Sequence, residues 1–252
     1  MKTATTWSCK HYLPLHLKER KNAPYICRIA PFADGFEFDI YDDCENSSYI
    51  LKWKIRGEDT ENTVELDGKH GKVDGLASDT DYAFRIERKD GTASTERLVR
   101  TGSVPGGVVN YLHPDDEEYA FSGRYLCSPS LVRHPDGYLL SSMDVFECNA
   151  PQNLTIIFRS DDDGESWYYV SELMPCFWGK LFIHKGELYM IGVSNEYGDL
   201  LLGKSGRSRG ELESVVYDGL RRVFHSWGWR QRGMHLQSDH SEHPCEKACK
   251  FS

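Results

Sequence analysis

Five side chains of the kinds that bind zinc lie close together near the C-terminus of this 252-residue chain. Imidazole and thiolate groups are the usual ligands of structural zinc sites, which have short and regular spacings. Here the spacing is H-x4-H-x2-H-x-C-x3-C, which fits no zinc-finger pattern. We interpret the cluster as a chance grouping and predict neither a metal site nor any other cofactor. Its members are His235, His240, His243, Cys245 and Cys249.

The eight cysteines are scattered and form no CxxC pair. The N-terminal segment has no apolar core of the length found in signal peptides, which predicts a cytoplasmic location and leaves an extracellular one open. Most of the thiols are therefore expected to be free and partly buried. The cysteines are Cys9, Cys27, Cys44, Cys127, Cys148, Cys176, Cys245 and Cys249.

The overall composition narrows the class of protein. A net charge of −9 disfavours a nucleic acid or an anionic membrane as partner. No apolar run approaches the ~20 residues that would cross a bilayer. The chain contains 14 Tyr, 11 Phe and 22 Gly residues, a mixture that favours many short strands joined by turns. We therefore predict an all-β protein.

The segment from 22 to 102 has the pattern of a β-sandwich. Apolar and polar residues alternate in GFEFDIYD (35–42) and YILKWKIR (49–56), which predicts two half-buried strands. Tyr82 follows a polar turn and begins another strand, so its hydroxyl is expected to bond to upstream backbone. The stretch resembles the late part of a fibronectin type III domain, which closes on a strand that ends in threonine, as this one does at Thr101. The resemblance implies an immunoglobulin-like sandwich that serves as a spacer or a docking surface.

The following part contains an internal repeat. SLVRHPDGYLL (130–140) and KLFIHKGELYM (180–190) each read as strand, tight turn and strand, offset by 50 residues. Further strands are predicted at 153–160, 168–170 and 198–205. Four-stranded modules at about this spacing are typical of β-propeller blades.

A turn motif lies between the third and fourth strands of the first repeat. Ser160, Asp162, Gly164, Ser166 and Trp167 match S-x-D-x-G-x-[ST]-W at every fixed position. Asp162 can accept backbone N–H bonds within the turn, Gly164 can take a positive φ, and Trp167 can pack between sheets. The motif is an Asp-box, and residues 119–205 resemble the six-bladed propellers of the sialidase superfamily. The resemblance implies that these five residues are structural.

The resemblance also indicates where substrate would bind. The family has an arginine before Ile-Pro-[AS]-Leu, which clamps the substrate carboxylate. The matching segment here is CSPSL (127–131), so Cys127 occupies the arginine position. Arg124, three residues earlier, is a candidate substitute for substrate binding. The departure disfavours sialic acid and favours another glycan.

The family's acid/base aspartate follows the second strand of the first blade, where this chain has Asp144 and Glu147. We take these two as the candidate catalytic residues, with ordinary loop carboxylates as the alternative. Glu196 and Tyr197 stand at the equivalent place of the second repeat, and Trp178 opens that repeat where Ser128 opens the first. We take these three as candidate substrate-binding residues. The two aromatic rings could stack on a sugar, or could equally belong to the core.

The C-terminal part departs from the repeat. Residues 206–213 replace the second Asp-box, and the tail shows no alternation. A six-bladed ring needs roughly 300 residues at this spacing, and the nucleophilic tyrosine–glutamate pair and two further arginines of the family would lie in later blades. We therefore expect a frameshift near residue 205 and a truncated propeller whose uncovered sheets self-associate.

The predicted organisation has five segments. They are an N-terminal extension (1–21), a fibronectin type III-like sandwich (22–102), a linker (103–118), a partial sialidase-like propeller of about two blades (119–218) and an irregular tail (219–252). The functional hypotheses are an exo-acting glycosidase lineage without activity in this chain, a non-catalytic carbohydrate-binding or protein-interaction protein, and an inactive truncation product.

Overall fold

The computed structural model describes residues 23–42, 48–147, 154–173, 176–193 and 200–204. These residues form fourteen β-strands and no helix, so the all-β prediction is confirmed. No helix in this part of the chain could span a membrane. The described residues divide into two compact units, the first within 23–120 and 164–169 and the second within 121–163 and 170–204.

The first unit contains two antiparallel sheets. One has the order β1-β2-β5 and the other has the order β4-β3-β6-β7. The strands are β1 (Tyr25–Phe32), β2 (Gly35–Tyr41), β3 (Ser48–Ile55), β4 (Asn62–Asp67), β5 (His70–Val73), β6 (Asp81–Arg88) and β7 (Arg97–Arg100).

The alternation read from the sequence produces the core of this unit. Phe36 and Phe38 on β2 are fully buried, as is Phe84 on β6. The rings of Phe36 and Phe84 lie 4.6 Å apart, so the two sheets share one apolar core. A residue period of two places every second side chain of a strand on the same face, which is why the pattern could be read in advance.

The tyrosine corner expected before β6 is confirmed. The backbone N–H of Ala77 donates to the Tyr82 hydroxyl at 3.0 Å, and the Tyr82 side chain is buried. The Thr101 hydroxyl donates to the Ala77 carbonyl at 2.6 Å and so ties the end of the unit to the same loop.

The segment predicted as a linker (103–118) belongs to the first unit and is hydrogen-bonded to β1 along part of its length. Asn110 accepts a hydrogen bond from the backbone N–H of Ile29 at 3.1 Å, and the Val109 carbonyl accepts from Arg28 Nε at 2.8 Å. Ile29 lies on β1, the edge strand of its sheet, where backbone groups need partners outside the ladder. This stretch therefore covers an exposed strand edge.

Two further sheets follow, each formed by strands that pair in chain order. The first has the order β11-β10-β9-β8 and the second has the order β12-β13-β14. The strands are β8 (Tyr125–Arg133), β9 (Leu139–Phe146), β10 (Leu154–Ser160), β11 (Tyr168–Leu173), β12 (Phe177–His184), β13 (Glu187–Val193) and β14 (Leu200–Lys204).

The 50-residue repeat is visible in the backbone of these sheets. The β8–β9 and β12–β13 hairpins turn at Gly137 (φ 99°) and Gly186 (φ 78°), where glycine accepts a positive φ without strain. Leu140 and Ile157 of the first sheet pack against Leu181, Leu188 and Met190 of the second. The repeats are thus two separate sheets that share an apolar interface.

Candidate functional site

Matching bulges interrupt the first strand of each repeat. The pairing register shifts between Cys127 and Ser130 on β8 and between Phe177 and Lys180 on β12. Ser128 (φ 51°) and Trp178 (φ 54°), which are 50 residues apart, both take the left-handed backbone conformation. The left-handed conformation is unfavourable for residues other than glycine. Bulges change the direction of side chains and are frequent near functional sites. The sequence repeat thus extends to a shared backbone irregularity.

Asp144 lies on β9 at the level of these bulges. Its side chain is fully buried, and its two oxygens have different partners. The Thr155 hydroxyl on β10 donates to Oδ1 at 2.5 Å, and the Trp178 backbone N–H on β12 donates to Oδ2 at 2.6 Å. One carboxylate therefore joins three strands of two sheets.

Among the described residues, the Asp144 carboxylate has only neutral hydrogen-bond partners. Burial raises the pKa of Asp144 to about 6, although hydrogen bonds from Thr155, Trp178, Gly179 and Ser128 act in the opposite direction. Within the described ranges, no Lys, Arg or His forms an ion pair with it. A buried carboxyl group with a raised pKa is a frequent property of functional sites.

Cys127 contributes to the uncharged surroundings of the Asp144 carboxylate. It is the direct cross-strand partner of Asp144, so both side chains lie on the same face of the sheet. Burial raises the pKa of the Cys127 thiol, with a smaller contribution from the Asp144 charge. The thiol is therefore neutral at neutral pH, whereas an arginine at this position would place a cation beside Asp144.

Trp178 is the exposed end of an aromatic stack. Its ring lies 4.5 Å from the Phe177 ring, which lies 4.9 Å from the Phe146 ring, and both pairs are nearly parallel. Phe177 is buried, whereas Trp178 is 49% exposed. The stack supports a large aromatic surface that faces solvent.

The other predicted site residues have different positions. Arg124 directly precedes β8 and Glu147 directly follows β9, and both are partly exposed. Because Tyr125 pairs with Phe146, these two residues flank the same end of the sheet. Glu196 and Tyr197 lie outside the described residues.

The turn motif of residues 160–167 lies at the other end of the same strands. The Ser160 hydroxyl donates to Asp162 Oδ1 at 2.7 Å, and Trp167 Nε1 donates to the Gly164 carbonyl at 3.1 Å, with Gly164 at φ 98°. Ser166 is exposed. Asp144 is opposite Thr155 on β10. Thr155 lies five residues before Ser160, so about 17 Å of strand separates the level of Asp144 from the turn. The motif thus forms a hydrogen-bonded turn remote from Asp144.

Within the described residues, neither the cysteines nor the potential metal ligands form a second site. Cys27, Cys127 and Cys176 form no disulfide within the described residues, and the other five cysteines lie outside them, as do His235, His240 and His243. No group of three or more potential metal ligands occurs in the part of the chain that the structure describes.

Thr155 belongs to this site although no pattern in the sequence predicts a functional role for it. The signal for it is a single hydroxyl in the otherwise apolar run LTIIF, at a position that is fully buried. A buried hydroxyl requires a hydrogen-bond partner, but the sequence does not show which one.

Comparison with known proteins shows weak structural similarity. No family model matches the chain, and no curated protein matches it. The chicken CNTN1 FN1-FN3 domains are 10% identical, with a TM-score of 0.27, over 67% of this chain and 74% of that one. A Trypanosoma rangeli sialidase in complex with the inhibitor DANA is 12% identical, with a TM-score of 0.28, over 77% of this chain and 40% of that one. The present chain thus spans less than half the length of that sialidase.

Proposed function

We propose that residues 119–218 are part of a sialidase-like propeller that binds the terminal sugar of a glycan on the surface formed by Trp178. The lineage part of the proposal rests on the Asp-box and the 50-residue repeat. The binding part rests on one observation, the half-exposed indole of Trp178 on a stack of two further rings. In the same proposal, residues 22–102 are a fibronectin type III-like spacer.

The chemistry of the proposed site suits a neutral sugar. An indole offers a flat apolar face for the C–H groups of a pyranose ring, and a rigid ring loses little entropy when it binds. Arg124 and Glu147, at the neighbouring strand end, would supply hydrogen bonds to hydroxyl groups. Cys127 carries no charge to clamp a carboxylate, so a neutral sugar is favoured over sialic acid.

A glycan array probed with the full chain tests this proposal. Trp178→Ala is expected to lose at least about tenfold in affinity for every bound glycan, since stacking supplies most of the contact area. Tyr168→Ala is the matched control, because Tyr168 is an exposed aromatic residue near the Asp-box end. Equal binding by the two variants, or no glycan bound by the unmodified chain, would contradict the proposal.

Hydrolysis of a glycosidic bond is the second candidate function. The observation in its favour is the Asp144 pKa of about 6, which suits a general acid near neutral pH. The observation against it is that Asp144 is fully buried, with both oxygens bonded to protein donors. A panel of chromogenic aryl glycosides decides between the functions, because activity that disappears in Asp144→Asn would establish hydrolysis.

A further inference from the structure

We infer that Asp144 is a positioning residue whose carboxylate holds the β12 bulge and thereby fixes Trp178 in its exposed orientation, without contact to the sugar itself. The inference assigns to Asp144 a task other than acid/base catalysis. The expected effect on sugar binding rests on the proposed function, whereas the effect of Asp144 on the β12 bulge can be measured without a ligand.

The first step is the strain at Trp178. Its φ of 54° lies in the left-handed region, where a bulky residue remains only if surrounding contacts hold it there. Oδ2 of Asp144 accepts the backbone N–H of that same residue at 2.6 Å. The residue with the strained backbone is therefore the one whose N–H is bonded to Asp144.

The second step is that the carboxylate is itself fixed. Thr155 holds Oδ1 from β10, and the Thr155 oxygen lies 3.1 Å from the Cys176 carbonyl, two residues before Trp178. A Cβ placed on Gly179 would lie 3.2 Å from the Thr155 side chain, so the β12 backbone passes close to Thr155. Both sides of the bulge are therefore in contact with the Asp144–Thr155 pair.

The third step is that no oxygen of Asp144 is directed to solvent. The side chain is fully buried, and each oxygen has a donor from the protein within 2.6 Å. A group that binds sugar directly needs an accessible lone pair. Trp178, at 49% exposure, is the accessible part of the same hydrogen-bonded assembly.

The network makes an isosteric test possible. In Asp144→Asn the amide oxygen can still accept from the Trp178 N–H. The amide nitrogen can donate to the Thr155 oxygen, while the Thr155 hydroxyl turns its proton to the Cys176 carbonyl. The two bonds that join residue 144 to Thr155 and to the Trp178 N–H then each keep a donor and an acceptor. Asp144→Ala has no such arrangement and leaves the Trp178 N–H without its acceptor.

The experiment uses full-length chains with Asp144→Asn, Asp144→Ala, Thr155→Val and, as matched control, Ser142→Ala. Ser142 is buried on β9 two residues before Asp144, and its hydroxyl has no partner among the described residues. Hydrogen exchange of the Trp178 amide and the indole NMR signal of Trp178, assigned with Trp178→Phe, report the bulge directly. Binding is measured with methyl glycosides of galactose, glucose, mannose and N-acetylglucosamine.

Asp144→Asn and Ser142→Ala are expected to leave exchange and binding within about threefold of the unmodified chain, whereas Asp144→Ala accelerates Trp178 exchange by about 100-fold and weakens binding at least tenfold. Thr155→Val is expected to give a smaller acceleration, about fivefold, and covers the case in which Asp144→Ala does not fold.

Two results would overturn the inference. One is unchanged Trp178 exchange in both Asp144→Ala and Thr155→Val. The other is loss of binding in Asp144→Asn while its Trp178 amide stays protected, since the charge would then be needed at the sugar. If the unmodified chain binds none of the glycosides but the exchange pattern appears as expected, the proposed binding fails and the hold on the bulge stands.

Discussion

Two buried carboxylates of the first unit, Asp116 and Asp42, lie beside arginines, whereas Asp144 is buried beside neutral groups. Asp116 accepts from Arg97 Nε at 2.8 Å, and Asp42 accepts from Arg88 Nε at 2.9 Å. Asp144 is equally buried, but it accepts hydrogen bonds from the Thr155 hydroxyl and the Trp178 backbone N–H.

The difference separates two uses of a buried charge. A carboxylate beside a guanidinium stays ionised, and the pair fixes the packing of the segments it joins. Arg97 also donates to the Ile26 carbonyl, so this pair connects β1, β7 and the segment that contains Asp116. A carboxylate with neutral donors carries the full cost of desolvation, which raises its pKa and leaves it able to titrate. The comparison therefore points to Asp144, and not to Asp116, as the group with a role beyond packing.

The largest effect is expected from Arg97→Met, which leaves the Asp116 carboxylate buried without its cation. We expect the first unit to lose about 3–5 kcal/mol of its free energy of unfolding, because an uncompensated buried charge is costly. Hydrogen exchange of the β6 amides in the full chain measures this loss. A change below about 1 kcal/mol would mean that the pair is not structural.

The next effect concerns pH. The pKa of Asp144 is about 6 in the folded protein and near its ordinary value of 3.8 in the unfolded chain, so folding favours its protonated form. Its contribution to stability is therefore fully present below pH 3.8 and is lost as pH rises to about 6, by roughly 3 kcal/mol in total. The difference in unfolding free energy between the unmodified chain and Asp144→Asn, measured from pH 4 to 7, isolates this contribution from other titrating groups. A difference independent of pH would contradict it.

A smaller effect is expected from Thr155→Val. The variant removes the hydroxyl that stabilises the ionised form, so the pKa of Asp144 should rise further, and the protein should lose about 1 kcal/mol of stability. The carboxyl 13C signal of Asp144 followed across pH reports the pKa. A lower pKa in Thr155→Val would show that the hydroxyl does not donate to the carboxylate.

The smallest effect is expected from Arg100→Met, the surface counterpart of Arg97→Met. Arg100 pairs with Asp81 at 3.0 Å, but its side chain is 52% exposed. Solvent screens such pairs, so the loss should be below about 1 kcal/mol and should shrink further in high salt. A loss comparable to that of Arg97→Met would show that burial does not govern the contribution of these pairs.

Much of the fold could be predicted from short stretches of sequence. The alternation around Phe36 and Phe38, the Tyr82 corner, each copy of the repeated hairpin and the turn at 160–167 are each contained in about a dozen residues. They depend on the two-residue period of a strand and on local turn chemistry, which neighbouring residues determine. The arrangement of the repeats about a common axis remains a prediction.

The candidate site could be predicted only in part. Asp144, Glu147, Arg124 and Trp178 were identified by type and position, but no pattern indicated that Asp144 would accept from a backbone N–H 34 residues away. The sequence alone shows that Cys127 stands where the resembled family has an arginine. Only the pairing of Cys127 with Asp144 across the strands shows that the Asp144 carboxylate therefore has no cation beside it.

The sequence by itself determined that this chain is all-β, where its strands alternate and that two of its segments repeat. Only the tertiary structure decided that Asp144, Thr155 and Trp178 meet, that Asp144 is buried and that Trp178 is exposed. The physical reason is the sequence distance between the residues that interact. Strand period and turn geometry depend on adjacent residues. Desolvation and side-chain hydrogen bonding depend on residues that are distant in sequence and that the packed sheets bring together.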